Sequence, residues 1–62
     1  MSGTKQERFF KVYVNLPLNL REEVILVVDN EPITWKVAYL EISGDTRLGK
    51  QILEKLAFLK FI

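Results

Sequence analysis

Ile33-Thr34-Trp35-Lys36-Val37-Ala38-Tyr39-Leu40-Glu41-Ile42 is the stretch on which the fold turns, because its apolar residues satisfy two periods at once. Taken two apart, Ile33, Trp35, Val37 and Tyr39 line one side, and Thr34, Lys36, Ala38, Leu40 and Ile42 the other, as in a strand. Taken at helical spacing, Trp35, Ala38, Tyr39 and Ile42 share one face, with Asn30 as an N-cap and Pro32 just inside the first turn. We read 33–42 as a strand, with the helix as the alternative.

Upstream, Val24-Ile25-Leu26-Val27-Val28 is apolar at every position and mostly β-branched, which predicts a strand buried on both faces. Asp29-Asn30-Glu31-Pro32 then supplies turn residues. Further back, Phe10, Val12, Val14 and Leu16 alternate with Phe9, Lys11, Tyr13 and Asn15, predicting a first strand over 8–15. Pro17 ends it, since proline cannot donate to a ladder, and Leu18 to Glu22 reads as a connection or a single helical turn.

Downstream, Ser43 to Asp45 breaks the pattern, Asp45 or Thr46 can cap, and a helix follows from 46 to the end. Leu48, Ile52, Leu56 and Leu59 lie on one face with Leu53 at its edge, while Arg47, Lys50, Gln51, Glu54 and Lys55 lie opposite. The expected fold is therefore α+β: a three-stranded antiparallel sheet followed by a C-terminal amphipathic helix (β-β-β-α). It occupies 8–62 as a single small domain after a flexible N-terminus, 1–7.

A chain of 62 residues has a marginal core and usually leans on a disulfide, a metal or a partner subunit. There is no cysteine and no histidine, which removes thiolate and imidazole catalysis, zinc fingers and disulfide frameworks. We expect no enzyme activity, no metal and no cofactor. The polar start MSGTKQER and the absence of any long apolar run predict a cytoplasmic protein that does not enter a membrane.

A partner subunit, or very good packing, is left to complete the core. A single helix covers one face of such a sheet, and at helical spacing Phe58, Phe61 and Ile62 fall over the polar side of the last helix. Either the helix ends near Ala57 and Phe58 to Ile62 continues extended, or another surface covers these side chains; we expect a homodimer, the commonest closed assembly, with Trp35, Tyr39, Phe58, Phe61 and Ile62 at the interface.

Net charge is only +1, but it is segregated. Residues 1–20 carry Lys5, Arg8 and Lys11 against Glu7, a balance of +2. Residues 21–45 carry Arg21 and Lys36 against Glu22, Glu23, Asp29, Glu31, Glu41 and Asp45, or −4, and residues 46–62 carry Arg47, Lys50, Lys55 and Lys60 against Glu54, or +3. Basic ends of this kind suit either a solvated face or an anionic partner such as nucleic acid.

Three motifs bear on chemistry. Gly44-Asp45-Thr46-Arg47-Leu48-Gly49-Lys50 matches the GxxxxGK phosphate loop between an expected strand and an expected helix, but Gln51 stands where that loop needs Ser or Thr for its metal. We read Gly44 as a turn residue, Asp45 as a cap, Gly49 as a close-packing position and Lys50 as solvated. The carboxylates Asp29, Glu31, Glu41 and Asp45 lack calcium-loop spacing and read as turn and cap residues. Trp35 and Tyr39 beside Lys36 fit a core or interface better than a base-stacking platform.

Val14-Asn15-Leu16-Pro17-Leu18-Asn19-Leu20, followed by Glu23 and Val24, resembles the opening of ribbon-helix-helix DNA-binding proteins, where a short strand ends in Leu-Pro before the first helix. The resemblance implies a dimer whose outward strand residues Lys11, Tyr13 and Asn15, with Phe9, enter the major groove. It also implies a helix over Val24, Ile25, Val27 and Val28, and the glycine-containing turn usual before the second helix is absent. The sequence thus favours a non-catalytic interaction or assembly module acting as a homo-oligomer, with a protein partner also compatible. The alternative is a nucleic-acid-binding regulator using Arg8, Lys11, Tyr13, Asn15, Arg47 and Lys50.

Overall fold

A β-hairpin sits at the middle of the chain in the computed structural model, which describes residues 4–62. Its strands are β1 (Val24–Val28) and β2 (Glu31–Thr34), paired antiparallel with Val28 opposite Glu31, Val27 opposite Pro32 and Leu26 opposite Ile33. A bulge between Val24 and Leu26 shifts the register before Val24 meets Thr34. Asp29 and Asn30 form the two-residue connection with φ of 52° and 67°. Two consecutive left-handed residues match the right-handed strand twist, and Asp and Asn tolerate that conformation better than most side chains.

Three helices and a 3-10 turn complete the described residues: α1 (Lys5–Val14), the turn Leu18–Glu22, α2 (Trp35–Ser43) and α3 (Arg47–Phe58). The architecture is α+β with a two-stranded sheet, which corrects the expected three-stranded sheet with one C-terminal helix. Residues 8–15, expected as a strand, belong mainly to α1. Their apolar set also obeys the helical period, since Phe9 is buried and Val12, Tyr13 and Leu16 pack against the core. A capping box starts that helix: the Glu7 N–H donates to the Thr4 hydroxyl at 3.2 Å and the Thr4 N–H to the Glu7 carboxylate at 3.2 Å. So Lys5 to Glu7 of the expected flexible start are helical, while residues 1–3 lie outside the described residues.

Residues 33–42 divide rather than continuing as one strand. The strand stops at Thr34, whose hydroxyl accepts the Val37 N–H at 3.1 Å and so serves as the N-cap of α2. The helical alternative had the right buried face, Trp35, Ala38 and Ile42, but the wrong cap. β1 lies where expected but is not buried on both faces: Val28 is buried while Val24 and Val27 are 55% and 58% exposed. The Leu18–Glu22 turn agrees with the single helical turn expected there.

The segment Gly44–Lys50 joins helix to helix, so it lacks the strand-to-helix context of a phosphate loop. Asp45 is left-handed (φ 55°), and its N–H and that of Thr46 bond the Ile42 and Glu41 carbonyls at 3.1 and 3.2 Å, closing α2. Thr46 then caps α3, accepting the Gly49 N–H at 2.9 Å while donating to the Glu41 carboxylate at 2.6 Å. Gly49 is buried against α2: a Cβ there would lie 2.7 Å from the Glu41 carbonyl carbon and 3.0 Å from the Ile42 Cα. One core results, built from Phe9 of α1, Val28 and Ile33 of the hairpin, Trp35, Ala38 and Ile42 of α2, and Ile52, Leu53 and Leu56 of α3.

The ribbon implied by the ribbon-helix-helix resemblance is not formed. Lys11 and Tyr13 lie within α1, Asn15 is its C-cap, and 24–28 is a strand where that arrangement needs a helix.

Candidate interaction surface

The end of α3 carries Phe58, the most exposed large apolar side chain among the described residues. Lys60 takes φ 65°, and the Lys60 and Phe61 N–H groups bond the Ala57 and Leu56 carbonyls at 3.1 and 2.9 Å, so the chain reverses just past Leu59. That reversal returns Phe61 edge-on to Trp35, ring centroids 6.1 Å apart, and lets Ile62 pack on the core. Phe58, one position before the cap, stays 83% exposed, with Leu59 and Phe61 about half exposed beside it. The helix therefore ends close to where the amphipathic pattern fails, rather than continuing to the last residue.

The expected interface residues separate into two groups. Trp35 is enclosed in the chain's own core, within 5.9 Å of the Phe9 ring centroid. Tyr39 is partly exposed but already stacked on Tyr13 at 4.6 Å and 13°, with Phe10 edge-on at 5.7 Å. Phe58, Phe61 and Ile62 share the C-terminal segment.

The expected nucleic-acid contacts also divide. Arg8, Lys11 and Asn15 lie on one stripe of α1, lining a shallow open trough with Val12, Leu16, Phe61 and Ile62. Arg47 and Lys50 lie on the outer stripe of α3 with Gln51, Glu54, Lys55 and Phe58. Tyr13 joins neither: besides Phe9 and Tyr39 it meets Arg21, whose guanidinium lies 4.4 Å from the ring centroid and donates through Nη2 to the Tyr13 carbonyl at 3.3 Å. Arg21 drew no attention in the sequence because its partner is eight positions away on another element. Its Nε is buried without a hydrogen-bond partner.

Leu18, Val14 and Leu40 are further exposed apolar side chains, at 76%, 68% and 59%. For Val14 and Leu40 only their neighbours in space could reveal that, since each fits an apolar period in the sequence. Among the described residues no group of three His, Cys, Asp or Glu side chains is placed to hold a metal, and no helix is long and apolar enough to cross a membrane. No protein-family model, curated protein or solved structure matches this chain.

Proposed function

We propose that this protein is a non-catalytic assembly module that acts as a homo-oligomer, joining copies through the C-terminal end of α3. The observation that carries this reading is Phe58, a large aromatic 83% exposed, with Leu59 and Phe61 about half exposed in the same C-terminal stretch. Burial of such a side chain yields about 1.5 to 3 kcal/mol, and a two-fold contact counts it twice. A chain with one small core gains proportionately more from this than a large domain does.

Sedimentation equilibrium over a range of concentrations tests it. The expected result is a mass above the 7.3 kDa of one chain that falls on dilution, and a Phe58→Glu variant that keeps its circular dichroism but sediments as a monomer. A mass of one chain at every concentration overturns the proposal.

A second reading is nucleic-acid binding, favoured by the grouping of Arg8, Lys11 and Asn15 on α1 and of Arg47, Lys50 and Lys55 on α3. Each grouping has an aromatic beside it, Phe61 and Phe58 respectively, as single-strand binders use for stacking. Fluorescence anisotropy with labelled single-stranded oligonucleotides should then show affinity that falls steeply with salt. No binding at low salt discards it.

A further inference from the structure

The hairpin has two outer edges, and they are built differently. Val28 and Glu31 flank the two-residue connection as a hydrogen-bonded pair, so Val27 and Pro32 form the next, non-hydrogen-bonded pair. At such a pair the backbone nitrogens aim away from the partner strand. On β2 that nitrogen belongs to Pro32, which has no N–H and sets its ring on the edge, a guard against pairing. On β1 it belongs to Val27, with a free N–H and C=O and no backbone partner outside the hairpin among the described residues.

Nothing else on β1 guards that edge along Leu26–Val28; the bulge at Ile25 confines the open ladder to this short stretch. Val24–Val28 contains no charge, and Val24 and Val27 present more than half their surface to solvent. The ends of the edge are acidic, with Glu22 and Glu23 before the strand and Asp29 just after it, and Glu31 adds its charge from the paired strand opposite Val28, all four exposed. Arg21, the nearest cation in sequence, is turned onto the Tyr13 ring.

These charges decide the occupant. A second copy pairing antiparallel about Val27, the residue with the free N–H, would bring Glu23 of one chain toward the Asp29–Glu31 turn of the other, and in-register parallel pairing would set Glu23 beside Glu23. Like charges directly opposed across strands are destabilising. We propose that the free edge of β1 docks an extended segment of a different protein, apolar at its centre and flanked by Lys or Arg, as a short third strand beside Leu26–Val28. Backbone bonds at Val27, side-chain contacts with Val24 and Val27, and the four acids together recognise it. This surface is separate from the C-terminal cluster and does not rest on self-assembly there.

The probe is the amidated peptide KKVTVTVKK, with EEVTVTVEE as its charge-reversed control, titrated into the isotopically labelled full chain. The expected result is amide shifts concentrated at 22–29, slowed exchange of the Val27 amide, and binding that weakens with salt. The control should show no binding. Val27→Pro, which places on β1 the same guard that Pro32 gives β2, should abolish binding with circular dichroism unchanged. The exposed pair Glu22→Lys and Glu23→Lys, which leaves the strand itself intact, should weaken it about fivefold to tenfold. Shifts confined to other regions, no saturable binding, or equal binding of both peptides overturns the proposal. So does concentration-dependent protection of the Val27 amide without peptide, which would make a second copy the occupant.

Discussion

Gly49 shows how much one missing methyl group decides. Its Cα is where α2 and α3 touch, and an added Cβ meets Glu41 and Ile42 backbone that cannot swing aside. Gly49→Ala gains up to about 1 kcal/mol of helix propensity, yet the helices must separate to admit it. We expect a net loss of about 2 kcal/mol, read as a lower urea midpoint. Lys60 is the opposite case, a side chain on a backbone with φ 65° where glycine is at ease. Lys60→Gly should raise stability by about 0.5 to 1 kcal/mol in the same urea titration, whereas Lys60→Ala, which removes the charge but keeps the strain, should not. The close-packing role of Gly49 was legible beforehand as a small residue inside an amphipathic helix. The left-handed Lys60 was not, because no sequence signal marks lysine for that conformation.

At the scale of elements, caps outweighed periodicity. α1 and α2 both carry apolar residues that fit a strand and a helix: over 33–42 both periods are plain in the sequence, whereas over 8–15 the alternation pointed to a strand. What separates them is a threonine hydroxyl placed to take a free N–H: Thr4 for α1, Thr34 for α2 and Thr46 for α3. The Thr4-Lys5-Gln6-Glu7 capping box was present in the sequence, and reading that segment as a flexible start concealed it. Thr4→Ala should cost about 0.5 to 1 kcal/mol and quicken hydrogen exchange of the Glu7 amide, with Thr4→Ser close to wild type. An unchanged Glu7 exchange rate would mean the capping box does not hold the start of α1. Val24–Val28 needed no such arbiter, because consecutive β-branched residues crowd a helix and suit a pleated strand.

At the scale of the molecule, one core serves every element. Phe9 is fully buried and its ring neighbours are Phe10, Tyr13 and Trp35, so α1 is joined to α2 chiefly by aromatic packing. Truncation of such a residue costs about 3 to 5 kcal/mol, which equals what a core of this size supplies. Phe9→Ala should therefore unfold the whole chain in a single step at room temperature, seen as simultaneous loss of far- and near-ultraviolet dichroism. Survival of the hairpin signal alone would show two cooperative units instead. The same single core separates charge in space. The basic stretches are α1 and α3 with its C-terminal residues, while the acidic stretch holds the 3-10 turn, the hairpin and α2.

The sequence by itself determined the strand at Val24–Val28, the turn after it, the amphipathic α3, and the exclusion of cysteine and histidine chemistry. Each of these is a local matter of propensity, period or composition. Over 8–15 and 33–42 both conformations bury some of the same side chains, and the tertiary surfaces they meet select the helices that the Thr4 and Thr34 caps begin. Tertiary structure also decided that Trp35 belongs to the core while Phe58 does not. Burial is a property of neighbours in space, and a residue's place in an apolar pattern says only that it needs a cover, not where that cover is.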